Sequence, residues 1–118
     1  MAKKEEQVKP ITLTLEDGTV YTLGFNRESV RFAESRGFKI DEVFDYPLTN
    51  IPLFWFLAFR ANHKNVARSK TDQILEDMHG LNKEILERLF QLYHQPYDSL
   101  ISLDEDEAGK KSTVTVEL

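Results

Sequence analysis

The chain contains no cysteine among its 118 residues, which excludes disulfide bonds and every metal or catalytic site that depends on a thiolate. It also lacks an excess of positive charge. Its 20 acidic residues outnumber 15 lysines and arginines, and the formal net charge is -5. A surface that binds nucleic acid needs a net basic patch, so this balance argues against a nucleic-acid partner.

Long hydrophobic runs are missing as well. The longest apolar stretch is about half of the roughly 20 residues that a membrane-spanning helix needs. The N-terminal sequence MAKKEEQVKP has no apolar core of the kind found in secretory signals. We therefore expect a cytoplasmic protein with no membrane partner.

Motifs that carry catalytic chemistry are also missing. The five glycines are isolated, so there is no Gly-rich phosphate loop, and no serine lies in a Gly-x-Ser-x-Gly elbow. The histidines, His63, His79 and His94, lack the spacing of a metal site, and a surface or capping role suits them better. We expect no metal, no cofactor and no enzymatic activity. A deep polar pocket that holds His63 or His94 beside buried carboxylates would instead indicate a small enzyme.

What the chain does have is a concentration of aromatic residues between Ile51 and Ala61, in the segment IPLFWFLAFRA. This segment holds the only tryptophan and three of the eight phenylalanines. A surface helix normally carries one apolar stripe, whereas this one is apolar on nearly all sides. It must therefore be covered on most sides, either by its own domain or by a partner.

Two interpretations of this aromatic helix remain open. In the first, Phe54, Leu57 and Phe59 fill the core of the domain while Trp55 and Phe56 close its sides. In the second, part of the aromatic surface contacts another chain, because aromatic anchors dominate the energetics of interfaces. A small domain with few helices has limited means of covering such a helix alone. The residues that we select for client contact or self-contact are Trp55, Phe56, Phe59, Leu89 and Tyr93.

The N-terminal part of the chain predicts a β-hairpin. Two alternating stretches, ITLTL and TVYTL, flank the turn sequence Glu-Asp-Gly. A three-residue loop with Gly18 in the left-handed conformation pairs Leu13 with Tyr21 and Ile11 with Leu23. We prefer it to a two-residue loop because it places the apolar side chains on one face. A lone hairpin is only marginally stable in water, so this face should pack on helices.

Helical patterns occupy the centre of the chain. The first predicted helix begins after the N-cap Asn26 and stops at Gly37. A short helical turn follows from Asp41 to Phe44. The aromatic helix should then open at Thr49 or Asn50, with Pro52 tolerated in its first turn, and run to about residue 64.

Two further helices follow the aromatic one. Ser69 and Asp72 have the spacing of a capping box, which predicts a third helix that ends at Gly80. Asn82 should cap a fourth helix, which carries a broad apolar face and should end at Pro96. Together these patterns predict an α+β fold in which an N-terminal β-hairpin packs on a mostly α-helical domain with disordered termini. We expect a flexible arm at 1–9, a single domain at 10–103 and an acidic disordered tail at 104–118.

This order of elements resembles the tail assembly chaperones of long-tailed bacteriophages and related prophages. The resemblance rests on the hairpin end YTLGFN (residues 21–26), the helix RESVRFAE (27–34) and the segment GFKIDEV (37–43). An apolar helix and an amphipathic helix follow in the same order. The similar region covers roughly residues 10–101, and it contains no motif from which individual site residues can be carried over.

The resemblance implies a non-enzymatic role in virion assembly. Such chaperones bind the long helical tape-measure protein in the host cytoplasm, keep it soluble, help to recruit tail-tube subunits and are absent from the mature virion. Many are made in a short form and in a longer frameshifted form, and this chain resembles the short form. Self-association into rings or spirals would also use exposed apolar surface. The alternative is a structural component such as a head–tail connector or tail completion protein, or another small protein-binding module.

Overall fold

The computed structural model describes residues 8–100 and Glu117. An antiparallel two-stranded hairpin packs against four helices, which confirms the predicted α+β class. Apart from Val8, Lys9 and Glu117, the predicted arm at 1–9 and tail at 104–118 lie outside the described residues. The elements are β1 (Ile11–Thr14), β2 (Val20–Leu23), α1 (Arg27–Ser35), a 3-10 turn (Ile40–Glu42), α2 (Pro47–Arg60), α3 (Arg68–Asp77) and α4 (Lys83–Asp98).

The hairpin has the predicted register. Ile11 lies opposite Leu23 and Leu13 lies opposite Tyr21. The loop contains three residues and ends at Gly18, whose φ of 91° lies in the left-handed region that favours glycine. Because this register keeps the apolar side chains on one face, the hairpin can pack on the helices through that face.

The outer edge of β2 is fastened to the end of α2. The Thr22 N–H donates to Nε2 of His63 at 2.9 Å, and the Thr22 carbonyl accepts from the side-chain amide of Asn62 at 3.0 Å. One residue further on, the Gly24 N–H donates to the carbonyl of Ala58 at 3.0 Å. These bonds satisfy backbone groups that an edge strand would otherwise leave open, so His63 has a structural role.

Helix α1 has the predicted ends. The side chain of Asn26 accepts from the Ser29 N–H at 2.7 Å, and the Ser29 hydroxyl accepts from the Asn26 N–H at 2.9 Å. At the other end Gly37 has a φ of 86°, and the Phe38 N–H donates to the carbonyl of Ala33 at 3.1 Å. This is the hydrogen-bonding pattern of a glycine-terminated helix.

Helix α2 differs from the prediction at both ends, because it begins at Pro47 instead of Thr49 or Asn50 and ends at Arg60. A proline suits the first helical position, where its missing N–H has no helical partner to lose. The earlier start places Pro52 in the helix interior, so its assignment to the first turn was wrong. The carbonyl of residue 48 consequently has no helical donor.

The predicted capping box at Ser69 and Asp72 was wrong. Helix α3 begins at Arg68, and its N-cap residue Ala67 has no side chain that could accept a hydrogen bond. Ser69 therefore lies inside the helix, and the Asp72 carboxylate pairs with Arg68 at 3.2 Å. A spacing rule identified the correct helix but placed its start two residues too late.

The start of helix α4 was predicted correctly and its end was not. The Asn82 side chain accepts from the Ile85 N–H at 2.8 Å, as expected of an N-cap. Pro96 does not end the helix, which continues to Asp98 with Pro96 buried. Burial of the proline ring against the domain offsets the one hydrogen bond that the ring removes.

The aromatic helix α2 lies at the centre of the core. Phe54, Trp55 and Phe59 are each 0% exposed. The Phe54 ring stacks at 5.7 Å from Phe25 and 5.5 Å from Phe38, which follow the hairpin and α1. The domain covers its own aromatic helix, as the first of the two interpretations expected.

Candidate protein-binding surface

The structure places most of the residues selected for partner contact inside the core. Trp55, Phe59 and Leu89 are 0% exposed and Tyr93 is 1% exposed, whereas Phe56 is partly exposed. In this conformation the four buried side chains have no surface to offer a partner. A binding surface must therefore be sought among the apolar residues that the fold leaves bare.

Such a surface lies directly before and at the start of α2. Phe44 is 59% exposed, Tyr46 is 70% exposed and Leu48 is 92% exposed. We call these three residues the 44–48 patch. Three large apolar side chains within five consecutive residues form a local concentration of bare surface, which differs from the scattered single residues of ordinary protein surfaces.

The backbone that carries the 44–48 patch is held by hydrogen bonds. The Glu42 carbonyl accepts from the Asp45 N–H and from the Asn50 side-chain amide, both at 3.0 Å. The Asn50 N–H donates to the Tyr46 carbonyl at 2.8 Å, and Val43 is 1% exposed and anchors the segment in the core. A partner would meet a patch whose backbone is already ordered, which lowers the entropic cost of binding.

Aromatic contacts join the 44–48 patch to the core. The Phe44 ring centroid lies 5.7 Å from that of Phe90, and the Phe90 centroid lies 5.3 Å from that of Phe54. These distances are typical of interacting aromatic pairs. An apolar partner on Phe44 would therefore extend an aromatic layer that begins in the centre of the domain.

The patch continues into a groove between α2 and α3. Leu48, Pro52 and Phe56 are spaced four residues apart and share one side of α2. Leu48 and Pro52 line a groove of about 600 Å³, to which α3 contributes Leu75. The Arg68 side chain also lines this groove, and its guanidinium lies 5.8 Å from the Phe56 ring centroid. Phe56, one of the five selected residues, thus borders what we call the α2–α3 groove.

The rim of this surface is polar and carries more acidic than basic groups. In the α2–α3 groove, Arg68 is paired with Asp72, and Glu76 is a further carboxylate. Beside the patch, Asp41, Glu42 and Asp45 are exposed. Charge complementarity favours a partner that carries basic residues next to its apolar ones.

One end of the α2–α3 groove has an unusual backbone. His79 has a φ of 63°, and its N–H donates to the Glu76 carbonyl while the Gly80 N–H donates to that of Leu75, both at 3.0 Å. His79 therefore occupies the left-handed position of a helix-ending motif in which glycine is usual. A non-glycine residue there costs about 1–2 kcal/mol. His79 and Gly80 line the groove at this end of α3.

The tyrosines with a shifted pKa, Tyr93 and Tyr97, lie outside the 44–48 patch and the lining of the α2–α3 groove. Burial, followed by the hydrogen bond with Tyr97, raises the pKa of the Tyr93 phenol. Burial also raises the pKa of Tyr97, whose hydroxyl donates to a Glu34 carboxylate oxygen. Among the residues that the structure describes, no group of three or more His, Cys, Asp and Glu side chains is placed to hold a metal ion. Over the same residues, no helix combines the length and the apolar character needed to cross a membrane.

Sequence reasoning missed the 44–48 patch because it assigned Phe44 to a short helical turn and started α2 after Leu48. A signal was present nonetheless. Phe44, Tyr46 and Leu48 alternate with Asp45 and Pro47, and a proline inside so short an alternating run argues against a strand that would bury them. Large apolar residues in such a segment have no predicted partner within the domain.

Comparison with known proteins gives a family and no function. A family model described as a domain of unknown function, DUF5055, matches residues 1–118. No curated protein matches the chain, and no solved structure matches it. What this domain does must be argued from the 44–48 patch, the α2–α3 groove and the sequence.

Proposed function

The chain belongs to the DUF5055 family, a domain of unknown function, and we propose that this domain is a phage tail assembly chaperone. In this role it binds the tape-measure protein without catalysing a reaction and helps to recruit tail-tube subunits. The observation that carries the proposal is the 92% exposure of Leu48 beside Phe44 and Tyr46. Bare apolar patches with polar rims mark interaction sites on soluble domains.

The shape of the surface suits a helical client. Amphipathic helices bind by laying one apolar face into a hydrophobic groove. The stripe formed by Leu48, Pro52 and Phe56, together with Leu75 across the groove, offers contacts along such a face. The tape-measure protein that the family resemblance implies is a long helical chain of this kind.

The negative charge of the surface indicates which segments of the client it should bind. Because Asp41, Glu42 and Asp45 are exposed beside the patch, a client helix with lysine or arginine next to its apolar face would bind best. Acidic client segments would be repelled by the same carboxylates. The proposal therefore predicts which part of a long client the domain selects.

Co-elution with fragments of the tape-measure protein of the same phage or prophage tests the proposal. The chain and its Leu48→Asp variant are each mixed with overlapping fragments and separated by size. Val20→Asp is the matched control, because Val20 is a large apolar residue that is 51% exposed on the hairpin. We expect the unmodified chain and the Val20 variant to co-elute with a basic amphipathic fragment, and the Leu48 variant to lose it.

Two outcomes would overturn this proposal. If no fragment co-elutes with the unmodified chain, it does not bind this client. If the Leu48 variant binds as well as the control, the 44–48 patch is not the binding surface. Detection of the chain in purified virions would favour the alternative of a structural tail or head–tail component.

A further inference from the structure

A second surface, of opposite character, lies at the other end of α2. Helices α1 and α2 enclose a groove of about 270 Å³ whose lining includes Phe32, Arg31, Arg60, Lys64 and Glu28. We call it the arginine groove. Its ionisable lining consists of three cations and one carboxylate, in a chain whose formal net charge is -5.

Aromatic stacking positions one cation that lines this groove, Arg60, and a second guanidinium outside its lining, Arg36. The Arg60 guanidinium lies 3.7 Å from the Phe32 ring centroid, and the Arg36 guanidinium lies 4.8 Å from the same centroid. Stacking on a ring holds a guanidinium in place and leaves its N–H donors free for carboxylate oxygens. The groove is thus preorganised for bidentate recognition of carboxylates.

The carboxylates in the described part of the chain do not neutralise this groove. Its one ion pair there joins Lys64 to Glu28 at 3.8 Å, with both side chains mostly exposed, which makes the pair weak. Within residues 8–100, no carboxylate lies within salt-bridge distance of Arg31, Arg36 or Arg60. The positive charge of the groove is therefore available to a ligand.

A segment of the same chain has the charge that complements the arginine groove. Residues 104–107 read Asp-Glu-Asp-Glu and form its densest acidic run. The end of α4 lies beside the groove, because the Arg27 guanidinium donates to the Ser99 hydroxyl at 2.9 Å and to the Ser99 carbonyl at 2.8 Å. Arg27 is the first residue of α1, and its neighbours Asn26 and Glu28 both line the groove.

The chain between the end of α4 and the acidic run is long enough for the run to reach the arginine groove. Three residues separate Leu100 from Asp104, and the four residue-to-residue steps between them span about 14 Å in an extended chain. The whole of α1 is only about 14 Å long, so the acidic run reaches any part of the groove. We propose that the arginine groove binds the acidic segment 104–107 of the same chain. Tethering gives the segment an effective concentration of about millimolar, so weak ion pairs suffice to hold it.

Paramagnetic NMR tests this proposal on the full chain. Because the chain has no cysteine, Ala108→Cys provides a single site for a nitroxide label beside the acidic run. We expect selective loss of the amide signals of Phe32 and Ala61, compared with that of Leu48 at the far end of α2. The loss should disappear at about 1 M salt, where screening acts within a few ångströms.

Two sets of variants identify the groups responsible. Neutralising the acidic run with D104N, E105Q, D106N and E107Q should abolish the selective loss without altering any residue of the described domain. Neutralising the adjacent lysines with K110Q and K111Q is the matched control and should preserve it. Arg31→Gln changes an exposed residue of the groove and should weaken the selective signal loss.

Three results would overturn the proposal. One is a uniform signal loss across the domain, and another is a selective loss that survives neutralisation of the acidic run. The third comes from mixing isotope-labelled chain without nitroxide with unlabelled chain that carries it. Signal loss in that mixture would show that the segment of a second copy occupies the groove.

Discussion

The indole nitrogen of Trp55 donates a hydrogen bond to the backbone carbonyl of Thr71 at 3.0 Å, and both residues are completely buried. The bond joins α2 to α3 in the interior, behind the groove that these two helices form on the surface. The Thr71 hydroxyl is also satisfied, since it donates to the Arg68 carbonyl at 3.0 Å. The spacing of the two walls of the α2–α3 groove therefore depends on the only tryptophan of the chain.

Replacing Trp55 by phenylalanine should lower the free energy of unfolding by about 2–4 kcal/mol. The variant leaves a cavity and an unpaired Thr71 carbonyl, and both are costly in a buried position. Urea unfolding followed by circular dichroism measures the change. Tyr46→Phe, an aromatic substitution at a 70% exposed position, should change stability by less than about 0.5 kcal/mol. An equal effect of both variants would contradict the role assigned to the indole.

Replacing Leu48 by alanine should separate binding from stability. Leu48 is 92% exposed, so its truncation should alter the free energy of unfolding by less than about 0.5 kcal/mol. If it is an anchor for the proposed client, the same truncation should weaken binding by about 2 kcal/mol, or roughly thirtyfold. Calorimetric titration and thermal unfolding of one sample give both numbers. A loss of stability as large as the loss of affinity would refute a surface role.

Replacing His63 by alanine should loosen the hairpin. The variant leaves the Thr22 N–H without its partner in a partly buried position, which should cost about 1–3 kcal/mol. Asn62→Ala removes the more exposed bond to the Thr22 carbonyl, and its effect should be smaller because water replaces the amide. Hydrogen exchange of the β2 amides reports the opening. If the Asn62 variant exchanges faster than the His63 variant, this ranking is wrong.

Alkaline pH should destabilise the domain through the buried phenol of Tyr93 and the partly buried phenol of Tyr97. The pKa of Tyr93 is raised above its ordinary value of 10.0 by burial first, and that of Tyr97 is raised for the same reason. Above pH 10 the unfolded chain loses these protons while the folded chain keeps them. The contribution is therefore fully present below pH 10 and is lost as the pH rises towards the folded-state pKa. The free energy of unfolding should fall by at most about 1.4 kcal/mol per pH unit for each phenol.

The control for the pH prediction is a pair of tyrosine variants. Tyr93→Phe should flatten the decline above pH 10, whereas Tyr46→Phe at the exposed position should leave it unchanged. Urea unfolding at a series of pH values measures both slopes. Identical slopes for the Tyr93 variant and the unmodified chain would show that this phenol does not control the decline.

Helix α3 should be stabilised by supplying the cap that it lacks. Ala67 has the extended backbone of an N-cap residue and no side-chain acceptor, so Ala67→Asp should raise the free energy of unfolding by about 0.5–2 kcal/mol. Ser69→Ala should have little effect, because Ser69 lies within the helix. Thermal unfolding compares the two. A destabilising Ser69 variant would instead restore the capping box that the sequence suggested.

Sequence patterns correctly predicted the features that depend on neighbouring residues, namely the register of the hairpin and the N-caps of two helices. The register of Leu13 against Tyr21 follows from alternation and one glycine, and Asn26 and Asn82 cap their helices as their side chains allow. Proline rules failed at Pro96, whose ring is buried against the domain while α4 continues to Asp98, and at Pro52, which lies partly exposed inside α2. Whether a segment continues as a helix there depends on contacts that lie far away in the sequence.

The candidate site was harder to predict than the fold. Aromatic content drew attention to Trp55 and Phe59, but composition does not reveal which residues the neighbouring helices cover. Of the five residues selected, only Phe56 borders the α2–α3 groove. Exposure of Leu48 depends on α2 starting at Pro47, a position that no periodicity in the sequence marked. The sequence therefore marked the segment as unusual, but the exposure of Leu48 follows from a helix boundary that the sequence pattern misplaced.

The length of α2 has a consequence for assembly. Leu48 and Arg60 stand near opposite ends of this rod and are about 18 Å apart along its axis. Because the central residues of α2 are packed in the core, the two ends of this helix do not move independently of each other. An apolar ligand on the 44–48 patch and an acidic ligand in the arginine groove could therefore bind at the same time without a steric clash. Their separation would be set by helical rise alone, so the domain would act as a spacer of constant length between them.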